Sequence, residues 1–285
     1  MTKRNSLRRV TALFVIFAAC TVSLPAQQRL LVIGGGERAP EAVMKFVEWS
    51  GGDNAHILVI TWASGVPEES FESLRKGLSL THSVKVEHAA VRPLDTARRV
   101  KFIEQLNAAT GVFFSGGDQN RIMDVLADEE LLRLIRAKYA RGTPFGGTSA
   151  GAAVMSDPMI TGEADLKILD GAKVGIRKGL GLVPNVIFDQ HFLVRQRHNR
   201  LFGLVMKNPQ MLGIGIDEDT AVLIEDNRRL TVSGKTQVMF IDAKKGKLPL
   251  TVHILGAGGS FDLKQREPGG QGGGNLDKRT GIGGK

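Results

Sequence analysis

The pattern Gly147-Thr148-Ser149-Ala150-Gly151 constrains this chain more than any other stretch. G-x-S-x-G describes a sharp turn from strand into helix that lifts one serine hydroxyl clear of the backbone. The turn is crowded, so the flanking positions must be small, and Gly147 and Gly151 meet that need. The apolar run at 142–145 enters the turn as a buried strand, and the small residues at 150–153 leave it as the first turn of a packed helix. The N–H of Ala150 then stands free at a helix start, where it can help bind an oxyanion. Five residues of this kind also suit a plain glycine-rich connection. A base and a second oxyanion donor must come from elsewhere in the chain.

The surrounding pattern is that of an α/β protein. Short apolar runs at 29–33, 56–62, 84–90 and 111–115 alternate with helical spacing at 41–49, 68–78, 95–109 and 128–139. Such alternation predicts β-α-β units and a mostly parallel sheet, whose sites form at the carboxyl ends of the strands. Gly34-Gly35-Gly36 follows the first run, but it lacks the full dinucleotide fingerprint and is taken as a tight turn. Ser115-Gly116-Gly117-Asp118-Gln119-Asn120 ends the fourth run. There Asp118 or Asn120 can cap a helix running to 126, and Gly117 supplies a second oxyanion N–H. Residues 160–181 mix β-branched residues with glycines and suggest a strand pair beside the main sheet. Runs at 220–224, 230–232, 237–241 and 248–254 suggest closing antiparallel strands.

The ends of the chain differ from its body. Lys3, Arg4, Arg8 and Arg9 precede an uncharged apolar stretch at 10–24, with a cleavage site after Ala26. Residues 1–26 are therefore expected to be a secretory signal peptide, too short to span a bilayer, so that no stable membrane span remains after cleavage. The mature protein is then secreted or periplasmic. Ala18-Ala19-Cys20 offers the alternative of a lipoprotein anchor, although Phe17 suits that site poorly. Cys20 is the only cysteine, so cleavage at 26 leaves neither a disulfide nor a thiol nucleophile. Residues 1–26 carry four basic and no acidic residues, which takes the formal charge from +9 to +5. Residues 264–285 carry five basic and two acidic, which leaves the body near +2. A nearly neutral body argues against nucleic-acid binding. The glycine-rich stretch from about 264 has almost nothing apolar to bury and is expected to be a disordered tail behind one domain at 27–263.

Ser149 needs a base. Of six histidines, His191 follows directly on a short strand, Val186-Ile187-Phe188, at the end where sites form. A serine is activated when a histidine takes its proton and an acid orients that histidine. Asp217-Glu218-Asp219 ends the next strand, and one of its carboxylates can serve. Arg195, Arg197 and Arg200 follow on a segment that has the spacing of a helix to 206. With Gln190 they suit a substrate bearing carboxylates, though a solvated basic helix face would look the same.

Four ordered motifs together resemble cyanophycinase and its relatives, a serine peptidase group that includes the aspartyl dipeptidases. They are FFSGGDQNR at 113–121, GGTSAGA at 146–152, DQHF-x-x-R-x-R-x-x-R-L at 189–201 and GIGIDEDTA at 213–221. The resemblance runs from about 30 to 263. It implies a flavodoxin-like fold, close to class I glutamine amidotransferases: a mostly parallel sheet sandwiched by helices, with additional C-terminal antiparallel strands, often as a homodimer. It implies Ser149 as nucleophile, His191 as base and Glu218 as acid, with no metal or cofactor. It further implies substrate contacts from Gln119, Asp189, Gln190, Arg195, Arg197 and Arg200. Members of the group split cyanophycin, a polyaspartate carrying arginine on each β-carboxyl, into β-Asp-Arg dipeptides. The signal and the basic tail depart from that pattern and leave open an α-aspartyl or isoaspartyl dipeptidase. A catalytically silent protein that holds acidic peptides is the rival from another class.

Overall fold

A computed structural model describes residues 27–162, 167–243 and 249–269. The segments expected to be a signal peptide and the far part of the tail lie outside the described residues, as does Cys20. The first half of the chain alternates strand and helix. In order it forms β1 (Arg29–Ile33), α1 (Pro40–Trp49), β2 (His56–Ile60), α2 (Pro67–Leu78), β3 (Lys85–His88), α3 (Thr96–Ala108), β4 (Gly111–Phe114), α4 (Gln119–Val125), α5 (Glu129–Ala140) and β5 (Phe145–Thr148). The helices start where the sequence supplies caps. Asp95, Asp118 and Asp128 each accept a backbone N–H from the first turn that follows, and Pro40 and Pro67 open α1 and α2.

The five strands pair in parallel in the order β1-β5-β4-β2-β3. In β1, β2, β4 and β5 the side chains are buried on both faces, as parallel strands under helices require, while the edge strand β3 is only partly covered. Leu31, Ile33, Ile57, Val59 and Phe113 face α1 and α2, while Leu30, Val32, Leu58, Ile60 and Phe114 face the opposite layer. The apolar entry to the serine turn lies later than the sequence pattern places it. The strand is Phe145–Thr148, and Gly142 belongs to the turn that ends α5 rather than to the strand.

After a short helix, α6 (Ala150–Ala153), the chain leaves the main sheet. β6 (Met159–Ile160) and β7 (Ile176–Arg177) form an antiparallel pair of their own, the strand pair expected at 160–181. β8 (Val186–Gln190), α7 (His198–Lys207) and β9 (Leu212–Ile216) follow, with β8 and β9 parallel. β10 (Thr220–Glu225) returns to the main sheet antiparallel to β1, β11 (Arg229–Gly234) pairs antiparallel with β10, and β12 (Val238–Asp242) and β13 (Thr251–Leu255) extend the β8–β9 pair. The closing strands are thus antiparallel, as expected, but they are shared between two sheets. The second sheet runs β13-β12-β9-β8. One of its faces packs Phe188, Ile214, Ile216 and Phe240 into the core beneath the main sheet; the other, with Ile187 and Ile241, packs on Leu201, Leu204 and Val205 of α7. Removing one of these fully buried phenylalanine rings would cost about 3–5 kcal/mol.

Two sequence expectations need correction here. Arg195 is not on a helix, because α7 begins only at His198. Residues 192–197 are held in turns instead: Asp217 Oδ1 accepts the N–H groups of Leu193 and Val194, both at 3.1 Å, and Gln196 takes a left-handed φ of 51°. The folded body also does not stop at 263. β14 (Ser260–Asp262) pairs with β11 and with β15 (Glu267–Pro268), and the Arg266 guanidinium reaches back to Asp242 at 2.8 Å.

Candidate active site

The serine turn has the strained geometry that its sequence implies. Ser149 sits at φ 54°, ψ −114°, a conformation that non-glycine residues rarely adopt. A β-carbon on Gly147 would fall 2.4 Å from the Gly151 carbonyl oxygen, and one on Gly151 would fall 2.3 Å from that of Phe114. Both flanking glycines are therefore required by contact. The Ser149 N–H is fastened to the Ile33 carbonyl at 3.0 Å, across the β1–β5 junction.

His191 and Glu218 arrive from the second sheet. β8 and β9 are neighbours in parallel, so the residues following them leave from the same edge. His191 Nε2 lies 2.8 Å from Ser149 Oγ, and its Nδ1 lies 2.5 Å from Glu218 Oε1. The consistent proton arrangement has the Nδ1–H donating to the carboxylate and Nε2 accepting the serine hydroxyl. Burial holds the imidazole below its ordinary pKa of 6.5. The hydrogen bond with Glu218 opposes that shift, and the nearby charges of Arg195 and Arg197 add to it. The ring is thus kept neutral and able to accept a proton near pH 7. Of the three acids at 217–219, Glu218 alone meets the imidazole. Asp217 holds the 193–194 turn, and Asp219 Oδ1 accepts the Glu37 N–H at 2.6 Å.

The glycines after β1, taken from the sequence as a plain turn, hold these parts together. The carbonyls of Ile33, Gly34 and Gly35 accept, in order, the backbone N–H groups of Ser149, His191 and Asp219, at 3.0, 2.8 and 2.9 Å. Gly35, at φ 128°, lies against the imidazole ring. The sequence places these glycines only at the end of a strand; that this strand lies next to β5 comes from the fold.

Gly117, at φ 132°, packs against the Ala63 carbonyl with no room for a side chain, and its neighbour Gly116 lies beside Ser149. No acceptor among the described residues meets the Gly117 N–H. Ala150 opens α6, and its N–H is one that a helix leaves unpaired. Near the serine the chain thus offers two backbone N–H groups without a hydrogen-bond acceptor among the described residues.

The predicted substrate contacts divide into two groups. Arg195 is exposed, and its N–H bonds to the His191 carbonyl at 3.1 Å. Arg197 is half-buried; its Nη1 donates to the Gln190 carbonyl at 2.8 Å and to Gln190 Oε1 at 2.6 Å. Burial, together with Arg200, brings the Arg197 pKa down to about 10. These three side chains stand beside His191. Asp189 and Arg200 instead form a sealed pair behind them. Arg200 Nε donates to Asp189 Oδ2 at 2.8 Å, and Nη2 donates to Oδ1. Gln119 is also buried and donates to the Ile160 carbonyl at 2.8 Å. Asp189, Arg200 and Gln119 are thus buried and already paired, the first two with each other and Gln119 with the backbone. Among the described residues no group of three or more His, Cys, Asp or Glu is disposed to hold a metal, and no helix is long and apolar enough to cross a membrane.

Comparison with known proteins agrees with this geometry. The sequence profile described as Peptidase family S51 matches residues 30–232. Cyanophycinase of Trichormus variabilis is 36% identical over 256 residues, which cover 83% of this chain and 86% of the relative. That of Geminocystis herdmanii is 34% identical, covering 84% and 95%. Peptidase E of Nostoc is 30% identical over 145 residues, covering 48% and 58%. Among solved structures, a peptidase from an acI-B1 Actinobacterium superposes with a TM-score of 0.62 at 23% identity, over 83% of this chain and 97% of that one. A putative peptidase E from Listeria monocytogenes gives 0.52 at 20%, over 74% and 100%. The two structures establish the shared fold.

Proposed function

Because this chain belongs to peptidase family S51, we propose that it is a serine peptidase that degrades cyanophycin through an acyl-enzyme on Ser149. One observation carries the proposal: the hydrogen-bonded run Ser149–His191–Glu218 opens beside two cations, Arg195 and Arg197. In the proposed reaction Ser149 Oγ attacks the scissile carbonyl carbon as His191 Nε2 takes its proton. The N–H groups of Gly117 and Ala150 hold the oxyanion. His191 then passes the proton to the departing amine, whose bond to the carbonyl breaks. A water, deprotonated by the same nitrogen, releases the acyl group as a carboxylate. Glu218 keeps the imidazole in the correct tautomer throughout. Arg195 and Arg197, the latter held by Gln190, pair with the free carboxylate that each repeat of the polymer carries. The mature enzyme starts after residue 26, acts outside the cytoplasm and forms a homodimer.

Incubating the mature protein with insoluble cyanophycin and weighing the products by mass spectrometry tests the substrate. β-Asp-Arg dipeptides are expected. Hydrolysis of α-aspartyl or isoaspartyl dipeptides, with the polymer untouched, would favour the aspartyl dipeptidase alternative instead. Ser149→Ala should lose on the order of 10³ or more in turnover and stay folded.

A further inference from the structure

Beyond the oxyanion turn lies a second cavity, of about 710 Å³, whose lining includes Ser64, Gly65, Arg92, Arg121 and Asp124. Its near wall is the backbone against which the site is built. A β-carbon on Gly117 would fall 2.2 Å from the Ala63 oxygen and 3.0 Å from Ser64 Cα, while one on Gly116 would lie 3.4 Å from Ser149 Cβ. The cavity therefore begins one layer of chain away from the nucleophile.

Its charges are unevenly used. Arg99, which also lines it, is fully engaged: its guanidinium bonds to Asp128 at 2.7 Å and to Glu130 at 2.5 Å. Arg92 has only one long bond, 3.4 Å, to the Ser64 carbonyl, and no carboxylate partner among the described residues. Arg121 meets its nearest carboxylate, Asp118, only at 3.8 Å. Arg92 is half-buried, and the Arg121 side chain is 43% exposed. One turn after Arg121 on α4, the exposed Asp124 engages Arg177 through Oδ1 at 3.0 Å, and Oδ2 is left for another donor. A cavity of this size holds a ligand of a few hundred daltons. Its two under-used cations and one available carboxylate oxygen match a group that carries one carboxylate and one guanidinium.

We infer that this cavity binds a further repeat of the polymer substrate, beyond the two that flank the scissile bond, with Arg92 and Arg121 on its free carboxylate and Asp124 toward its guanidinium. The inference rests on the polymer reading of the active site. It makes the enzyme sensitive to chain length: a chain long enough to cross the Ala63–Gly65 wall gains contacts that a short one cannot reach.

The test uses soluble β-Asp-Arg oligomers of two and six repeats and the double variant Arg92→Gln/Arg121→Gln. The parent is expected to show a lower KM for six repeats than for two. In the variant the six-repeat KM should rise about 5- to 10-fold with kcat unchanged, while two-repeat kinetics and the urea midpoint stay as in the parent. The parent's six-repeat KM should also rise more steeply with salt than the variant's. Equal losses on both oligomers would overturn the subsite and place the arginines in the common site. Parent-like kinetics on both would overturn it as well. A parent inactive on every oligomer would instead reject the polymer reading itself, a result that does not depend on the variant.

Discussion

Gly35 lies directly beneath the imidazole of His191: a β-carbon there would fall 2.2 Å from Cε1 and 2.6 Å from both ring nitrogens. The ring cannot yield without leaving Ser149 or Glu218, because Nε2 and Nδ1 are both committed. Gly35→Ala should therefore lower kcat/KM by about 10²-fold or more, since small misplacements of a catalytic base are that costly. Hydrolysis of an activated ester reports the loss, and labelling by a serine-directed phosphonate should slow in parallel. Parent-like activity would mean that the imidazole has room that the packing denies it.

The buried pair Asp189–Arg200 leads to a different expectation. Their side chains are 0% and 2% exposed. Removing one partner leaves the other charge sealed without compensation, which typically costs about 3–5 kcal/mol. Arg200→Ala should thus lower the urea midpoint sharply, whereas Arg195→Ala, at an exposed position, should leave it almost unchanged. Arg195→Ala should instead weaken hydrolysis of the polymer about tenfold while sparing a neutral ester. A stable Arg200→Ala protein with impaired binding would return Arg200 to the substrate.

The pH profile follows from the forces on His191. Its burial and the charges of Arg195 and Arg197 hold it below 6.5, against the pull of Glu218. The acid limb of kcat/KM, which reports the base in the free enzyme, should accordingly lie below 6.5. Arg195→Gln removes one of the charges that disfavour imidazolium, so the limb should move upward toward 6.5, and less so in high salt. Glu218→Gln removes the group that favours imidazolium, which moves the limb downward and costs turnover on the order of 10³ or more through the lost tautomer. A neutral activated ester is the substrate of choice, because Arg195 does not recognise it. A limb that moved downward in Arg195→Gln would contradict this electrostatic account.

Much of the parallel half was legible because its signals are local: apolar runs of strand length, aspartate caps and the glycines around Ser149. The positions of Ser149, His191 and Glu218 followed from strand ends and from the family resemblance. What stayed hidden depends on contacts distant in sequence. The segment that carries Arg195, Arg197 and Arg200 has helical spacing, yet Asp217, more than twenty residues after Leu193 and Val194, binds those two N–H groups, and the helix starts only at His198. Asp189 and Arg200 look like two polar candidates until the fold closes them on each other. The glycines at 34–36 have no distinctive neighbours, and their role is visible only once β1 stands beside β5. Residues 264–269 look like tail by composition, yet the β14–β15 pairing and one arginine make them part of the body.

That arginine sets the last prediction. Arg266 Nη1 donates to Asp242 Oδ1 at 2.8 Å, and Nη2 donates to the Gln210 carbonyl. Asp242 is fully buried at the end of β12, and its Oδ2 has no hydrogen-bond partner. A chain ending at Leu263 would lose Arg266 and the β14–β15 pairing, leaving that carboxylate buried without its cation. It should be less stable by about 3 kcal/mol or more. A chain ending at Gly269 keeps both contacts and should unfold at the same denaturant concentration as the mature protein. The ion pair can be separated from the loss of six residues by a cycle. Asp242→Asn in the chain ending at Leu263 should recover much of the deficit, because a neutral amide is far cheaper to bury than a charge. The same substitution in the longer chain should destabilise it, since Arg266 would then face no charge. Equal stability of the two truncated chains would show that the Arg266–Asp242 contact contributes nothing and that the folded body ends at 263.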